Sequence, residues 1–202
     1  MNYLAHLALS HYDADLQVGN FLGDIVRGSE LATLPAGVQR GVWMHRAIDL
    51  LTDRDRDVRR VNGLLSRRHG RYAPVISDIM FDYFLCRNWA SLMPQPFPEF
   101  RERTYARLRA ATDAIPPRAA RQLTGMTDGD WLRLYASTAG MGEVFRRMRP
   151  RMSKPALLAG VGESLQEYRD ELNRTLLLLF PRLQTLAHQY PPHQPPRGPG
   201  TD

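Results

Sequence analysis

The chain has 202 residues, 43% of them hydrophobic, which suits one domain whose core folds without covalent staples. A single cysteine, Cys86, excludes a disulfide framework and a cysteine zinc site, and points to a reducing compartment. The formal net charge of +6 and the pI near 9.9 imply an anionic partner, and among the 27 basic residues Lys154 is the one lysine. That arginine bias either serves phosphate, which guanidinium meets in planar bidentate contacts, or reflects a composition that places arginine wherever a solvated cation is needed.

The opening stretch, MNYLAHLALSHYDADL, lacks a basic leader, and His6 and His11 interrupt its apolar run. It therefore reads as neither signal peptide nor anchor, and the longest apolar run near the other end, residues 176–180, is far too short to span a bilayer. A cytoplasmic protein with no membrane partner is expected. Period-two alternation is nearly absent, whereas spacings of three and four recur throughout. They predict helices over 16–27, 36–50, 54–69, 74–90, 98–114, 117–124 and 138–148, punctuated by Pro35, Pro74, Pro94, Pro96, Pro98 and the Pro116–Pro117 pair. A longer helix is expected near the C-terminus, with Ser153 as its N-cap, Pro155 in its first turn and a leucine stripe from Leu158 to Leu186. Pro181 is expected to kink or interrupt it. From Pro191 the chain is rich in Pro and Gly, so 191–202 is expected to be a disordered tail on one all-α domain spanning 1–190.

Histidines and aspartates with ligand potential gather before residue 90. His6 lies in NYLAHL, Asp24 in GNFLGDIVRG, His45 and Asp49 in MHRAID, and Asp78 and Asp82 in SDIMFD. Residues four apart stack on one face of a helix, so each of the last two pairs can offer two ligands to one ion, or can be a surface ion pair and a solvated acidic face. The helix carrying Asp78 and Asp82 is apolar nearly all round, from Val75 to Trp89. Buried carboxylates there need a cation, either a metal or an arginine such as Arg46 or Arg87. His6, among Leu4, Ala5, Leu7 and Ala8, reads alone as a satisfied core histidine; beside four aspartates and His45 it is economically explained by a shared ion. Imidazole and carboxylate suit Mn²⁺, Fe²⁺, Mg²⁺ or Zn²⁺. In GNFLGDIVRG the glycines are either packing residues or a loop that places Asp24 on a metal and Arg27 near a phosphate. Arginine runs at 54–60, 67–71 and 146–151 are solvated faces or an acidic docking surface, and no aromatic interleaving marks them as nucleic-acid binding. Cys86 reads as an inert small hydrophobe.

Four segments in order, MNYLAHL, GNFLGDIVRG, VWMHRAIDLLTD and APVISDIMFDYFLCRNW, resemble the acyl carrier protein phosphodiesterase family, a divergent relative of the all-helical HD-domain metal-dependent phosphohydrolases. The resemblance implies hydrolysis of holo-acyl carrier protein to the apo-protein and 4′-phosphopantetheine by metal-activated water, with Mn²⁺ or Mg²⁺ as cofactor and a place in fatty acid biosynthesis and lipid metabolism. It makes His6, Asp24, His45, Asp49, Asp78 and Asp82 the metal candidates, with Asp24, His45, Asp49 and Asp82 also catalytic. Arg27, Arg46 and Arg87 are the candidates for steadying the phosphoryl oxygens. The chain has no adjacent His-Asp pair, so His45 and Asp49 stand where the usual HD signature would be, and ligand roles do not transfer one for one. Two other readings remain open at this level: an HD-type nucleotide phosphohydrolase, and a non-enzymatic basic module in which the cluster forms buried ion pairs.

Overall fold

The computed structural model describes residues 1–191, and among them there is no strand. The expected tail, apart from Pro191 itself, lies outside the described residues. The helices are α1 (Tyr3–Leu9), α2 (Ala14–Leu22), α3 (Gly28–Leu31), α4 (Ala36–Arg54), α5 (Arg56–His69), α6 (Ala73–Arg87) and α7 (Trp89–Leu92). They continue as α8 (Phe97–Ala110), α9 (Pro117–Asp128), α10 (Trp131–Leu134), α11 (Thr138–Met148), α12 (Val161–Glu167) and α13 (Arg169–Ala187). No helix among the described residues is long and apolar enough to cross a membrane.

The core forms around α6, which is buried along most of its length and is flanked by α1, α5 and α13. This matches its sequence, apolar on every side. The α2–α4 contact is close because it is made by glycines. A Cβ at Gly19 would stand 2.0 Å from the carbonyl oxygen of Val38, and one at Gly41 would stand 2.4 Å from that of Leu16. With no side chain in between, the two backbones meet directly, and the register of α2 on α4 is fixed.

The seven-residue α1 is not among the helices that periodicity predicts, being too short to show more than two turns. Asn2 caps it locally, its side chain accepting from the Tyr3 backbone. From across the core, the Asp82 carboxylate accepts from the backbone N–H groups of Leu4 at 2.8 Å and Ala5 at 3.0 Å. A buried carboxylate of α6 thus satisfies the open N-terminus of α1.

The helix expected over 16–27 stops at Leu22, and residues 23–27 turn away in a loop, with the N–H groups of Ile25 and Val26 both donating to the Leu22 carbonyl. The single C-terminal helix is corrected to three pieces. Pro155–Leu158 form one 3-10 turn, Gly160 takes φ +77°, and α12 and α13 follow with a break at Tyr168. Ser153 is no N-cap; its hydroxyl meets the Tyr72 hydroxyl at 3.0 Å and the Arg71 guanidinium. Buried His69 secures this broken segment, through Nδ1 to the Leu157 carbonyl and Nε2 to the Ser164 hydroxyl, both at 2.8 Å. α13 continues through Pro181, which therefore does not interrupt the helix. Pro181 lies on the exposed side of α13, where the carbonyl it leaves unpaired faces water, while Leu176, Leu179, Phe180 and Leu183 hold the other side in the core.

Candidate metal centre

Three of the four ligand-bearing segments converge. His6 comes from α1, Asp24 from the loop after α2, and His45 and Asp49 from successive turns of α4. The imidazoles of His6 and His45 stack with ring centroids 3.9 Å apart and planes 14° apart. Both are buried, and room for the His45 ring exists only because residue 23 is glycine: a Cβ there would lie 2.0 Å from its Cγ.

The Nδ1 of each ring is engaged by one residue, Asn20. His6 Nδ1 donates to the Asn20 side-chain oxygen at 2.9 Å, and His45 Nδ1 donates to the Asn20 carbonyl at 2.7 Å. The Asn20 amide in turn donates to the His6 carbonyl at 2.9 Å, so its acceptor faces the ring. With the Nδ1 positions committed, each Nε2 is turned inward. His6 Nε2 is 3.1 Å from one oxygen of Asp49; His45 Nε2 is 3.1 Å from the other and 3.2 Å from Asp24. Yet neither Nε2 has a hydrogen bond, because none of these oxygens lies where an N–H could point. Two buried nitrogens and a shared carboxylate, close but misaligned for hydrogen bonding, have the arrangement of ligands aimed at a common centre. One ligand atom each from His6, His45 and Asp49 lies within 4.8 Å of the others.

The electrostatics fit a cation. Burial and the neighbouring His45 ring push His6 down to about 4, against the pull of Asp49. Burial also works against charge on His45, but Asp24 and Asp49 overcome it and raise His45 to about 9. Asp49 resists its own burial and is held far below the carboxylate range by the two imidazoles. Asp24 is lowered by its contact with His45 and is largely exposed, so the cluster opens to solvent on its side. Two neutralisable imidazoles, oriented from behind by hydrogen bonds and facing ionised carboxylates, form a donor set for a divalent ion.

Asp78 and Asp82 are not brought into this group. Asp78 pairs with the Met1 ammonium at 3.0 Å, which also approaches Asp49 at 3.7 Å. Asp82 is fully buried with both oxygens on the N-terminus of α1. Burial pushes its carboxyl up to about 7, while its two N–H donors pull the other way. The groups that answer these carboxylates are thus an ammonium for Asp78 and backbone N–H donors for Asp82, rather than an arginine. Arg46 lies on the exposed side of α4 over the Trp43 ring, 4.8 Å from its centroid. Arg87 is exposed in the last turn of α6, nine residues and roughly 13 Å of helix beyond Asp78. Arg27 is exposed at the start of α3, its N–H donating to Glu30 at 2.8 Å, and no contact joins it to the cluster among the described residues. Asn20 and Gly23, essential to the geometry, have no spacing that marks them; the signal was their place within GNFLGD, between candidate ligands.

Beside the cluster lies a cavity of about 790 Å³, within the range of small-molecule sites. Asp24 lines it, so the cavity and the cluster share a wall.

Comparison with known sequences bears on this arrangement. The sequence family described as acyl carrier protein phosphodiesterase matches residues 1–183. A protein named acyl carrier protein phosphodiesterase from Enterobacter sp. (strain 638) is 32% identical over 188 residues, 93% of this chain and 97% of its own. Proteins of the same name from Serratia proteamaculans (strain 568) and Yersinia enterocolitica are 31% and 30% identical, with the same coverage. No solved structure matches the chain.

Proposed function

The chain belongs to the acyl carrier protein phosphodiesterase family, and on that premise we propose that it hydrolyses the phosphodiester between 4′-phosphopantetheine and the serine of holo-acyl carrier protein. The products are the apo-protein and 4′-phosphopantetheine. The observation that carries the reading is the pair of buried Nε2 atoms, on His6 and His45, that share Asp49 and lack hydrogen bonds.

These residues fit a divalent cation: His6, His45 and Asp49 would hold it, with Asp24 completing the set toward the cavity. Two imidazoles with carboxylates suit Mn²⁺, Fe²⁺ or Zn²⁺ better than Mg²⁺, which prefers oxygen. When bound, such an ion lowers the pKa of water and neutralises charge on a phosphoryl oxygen. The chain's own residues do the rest. Asn20 holds both rings in the tautomer that leaves Nε2 inward. Asp49 bridges the two imidazoles, one oxygen to each Nε2. Asp24, ionised and at the cavity wall, accepts a hydrogen bond from a water there and orients it toward phosphorus. The basic surface favours capture of a small acidic carrier protein, because opposite charge raises the encounter rate.

The test is incubation of the purified protein with holo-acyl carrier protein and Mn²⁺, followed by mass spectrometry of the carrier. Loss of the phosphopantetheine arm is expected, together with its arrest by a chelator. A carrier that keeps its arm at every divalent metal tried, with metal bound to the protein, would refute the reading.

A further inference from the structure

The cavity beside Asp24 contains side chains that the cluster does not explain. Met126 of α9 and Met148 and Met152, at the end of α11 and just beyond the turn that follows it, line it together with Trp131 and Ile79. Three unbranched, polarisable side chains make a wall that adapts to a flexible guest. Arg121, Arg147 and Arg151 line the same space, the last two from the arginine run at 146–151. Arg147 pairs at 2.6 Å with Glu143, a carboxylate it shares with Arg146, and its guanidinium covers the Trp131 ring at 5.6 Å. Arg121 and Arg151 have no carboxylate within ion-pair distance among the described residues, and so remain available to an anion or to carbonyl oxygens.

We infer that this cavity holds the pantetheine arm of the substrate, its phosphate at the Asp24 end, its length along the methionine wall, and Arg121 and Arg151 as its polar anchors. The inference rests on the phosphodiesterase reading and adds where, and by which residues, the substrate is held. The chemistry matches along the cavity. The arm carries a gem-dimethyl group and a soft thiol, which suit Met126, Met148 and Met152, and amide carbonyls and a phosphate, which suit unpaired guanidinium donors. A nucleotide fits less well. One face of Trp131 is already covered by Arg147, and the Tyr3 ring stacks on Phe21 at 5.7 Å, so each of these two rings has one face taken before a base arrives.

Gly125 provides a clean test. It lines the cavity from within α9, and a Cβ built there meets nothing within 4 Å. Gly125→Phe therefore projects a ring toward the cavity from a Cβ that meets no neighbour, and it replaces a poor helix former. The full chain is assayed on holo-acyl carrier protein and on bis(4-nitrophenyl) phosphate, a small diester that needs only the metal centre. Binding of 4′-phosphopantetheine and of adenosine monophosphate is measured by calorimetry. Expected for Gly125→Phe are kcat/KM on the carrier and affinity for 4′-phosphopantetheine each reduced by about tenfold or more, with small-diester hydrolysis and Tm retained. Arg121→Ala with Arg151→Ala should raise KM for the carrier and leave kcat little changed, and lysine at both positions should restore part of the loss. Wild-type turnover of the carrier by Gly125→Phe would overturn the inference while leaving the phosphodiesterase reading intact. So would equal loss on both substrates, or adenosine monophosphate binding as tightly as 4′-phosphopantetheine. Failure of the wild-type protein on the carrier, with small-diester activity present, would overturn the reading itself.

Discussion

Gly23 and His45 are in contact where a side chain would be: any Cβ at position 23 would lie 2.0 Å from Cγ of the His45 ring. Gly23→Ala must therefore move the ring or the loop that carries Asp24. A clash of this size in a packed site costs about 1–3 kcal/mol. The expected result is a folded protein with a lowered Tm that binds Mn²⁺ weakly and has lost most turnover. Calorimetric titration checks it, and unchanged metal affinity would contradict the geometry.

Asn20 orients both imidazoles through opposite ends of one residue, its side chain for His6 and its backbone for His45. Asn20→Ala removes the first and keeps the second. Loss of such an orienting hydrogen bond lowers metal affinity by about 10–100-fold. Because His45 keeps its partner, binding should be weakened rather than abolished.

Asp82 has the spacing of a ligand paired with Asp78, but its oxygens accept from the backbone N–H groups of Leu4 and Ala5. Asp82→Ala leaves two buried N–H groups without acceptors, at about 1–3 kcal/mol for each unsatisfied group. The variant should melt well below the wild type. Where it is folded, it should still bind Mn²⁺ at the wild-type stoichiometry, as read by elemental analysis. Loss of metal from a fully folded Asp82→Ala protein would make this carboxylate a ligand after all.

The two histidines respond to pH in opposite senses. His45 is raised from 6.5 to about 9, so in the metal-free protein its stabilising contribution is complete below pH 6.5 and is lost as pH rises through 9. His6 is lowered to about 4, so its contribution is present above 6.5 and is lost as pH falls through 4. At pH 7 an ion must displace the His45 proton and finds His6 already neutral. Titrations in buffers of different ionisation enthalpy should show about one proton released per ion, with affinity rising with pH until near 9. Zero proton release at pH 7 would contradict this assignment.

Legibility in the sequence followed geometry. His45 and Asp49 could be paired from spacing because α4 is a long regular helix, on which i and i+4 share a face. The same rule applied to Asp78 and Asp82 failed to say what answers each, because α6 is buried on every side and its neighbours come from elsewhere in the chain. The Met1 ammonium took one and α1 the other. Asn20 acts partly through its backbone, and Gly23 through the lack of a side chain; neither leaves a periodic trace. The leucine stripe near the C-terminus predicted one helix because the buried face persists across the breaks at Gly160 and Tyr168, and only the glycine hinted at the first.

The brevity of α1 has a kinetic consequence. A seven-residue helix does not persist alone in water, because nucleation outweighs the few hydrogen bonds gained. The segment bearing His6 therefore becomes helical only after α6 has delivered Asp82 to its end. Of the four converging side chains, only His45 and Asp49 share an element long enough to form early. An ion taken up at this centre would accordingly enter a finished protein instead of templating one, and chelation should empty the centre without unfolding the chain.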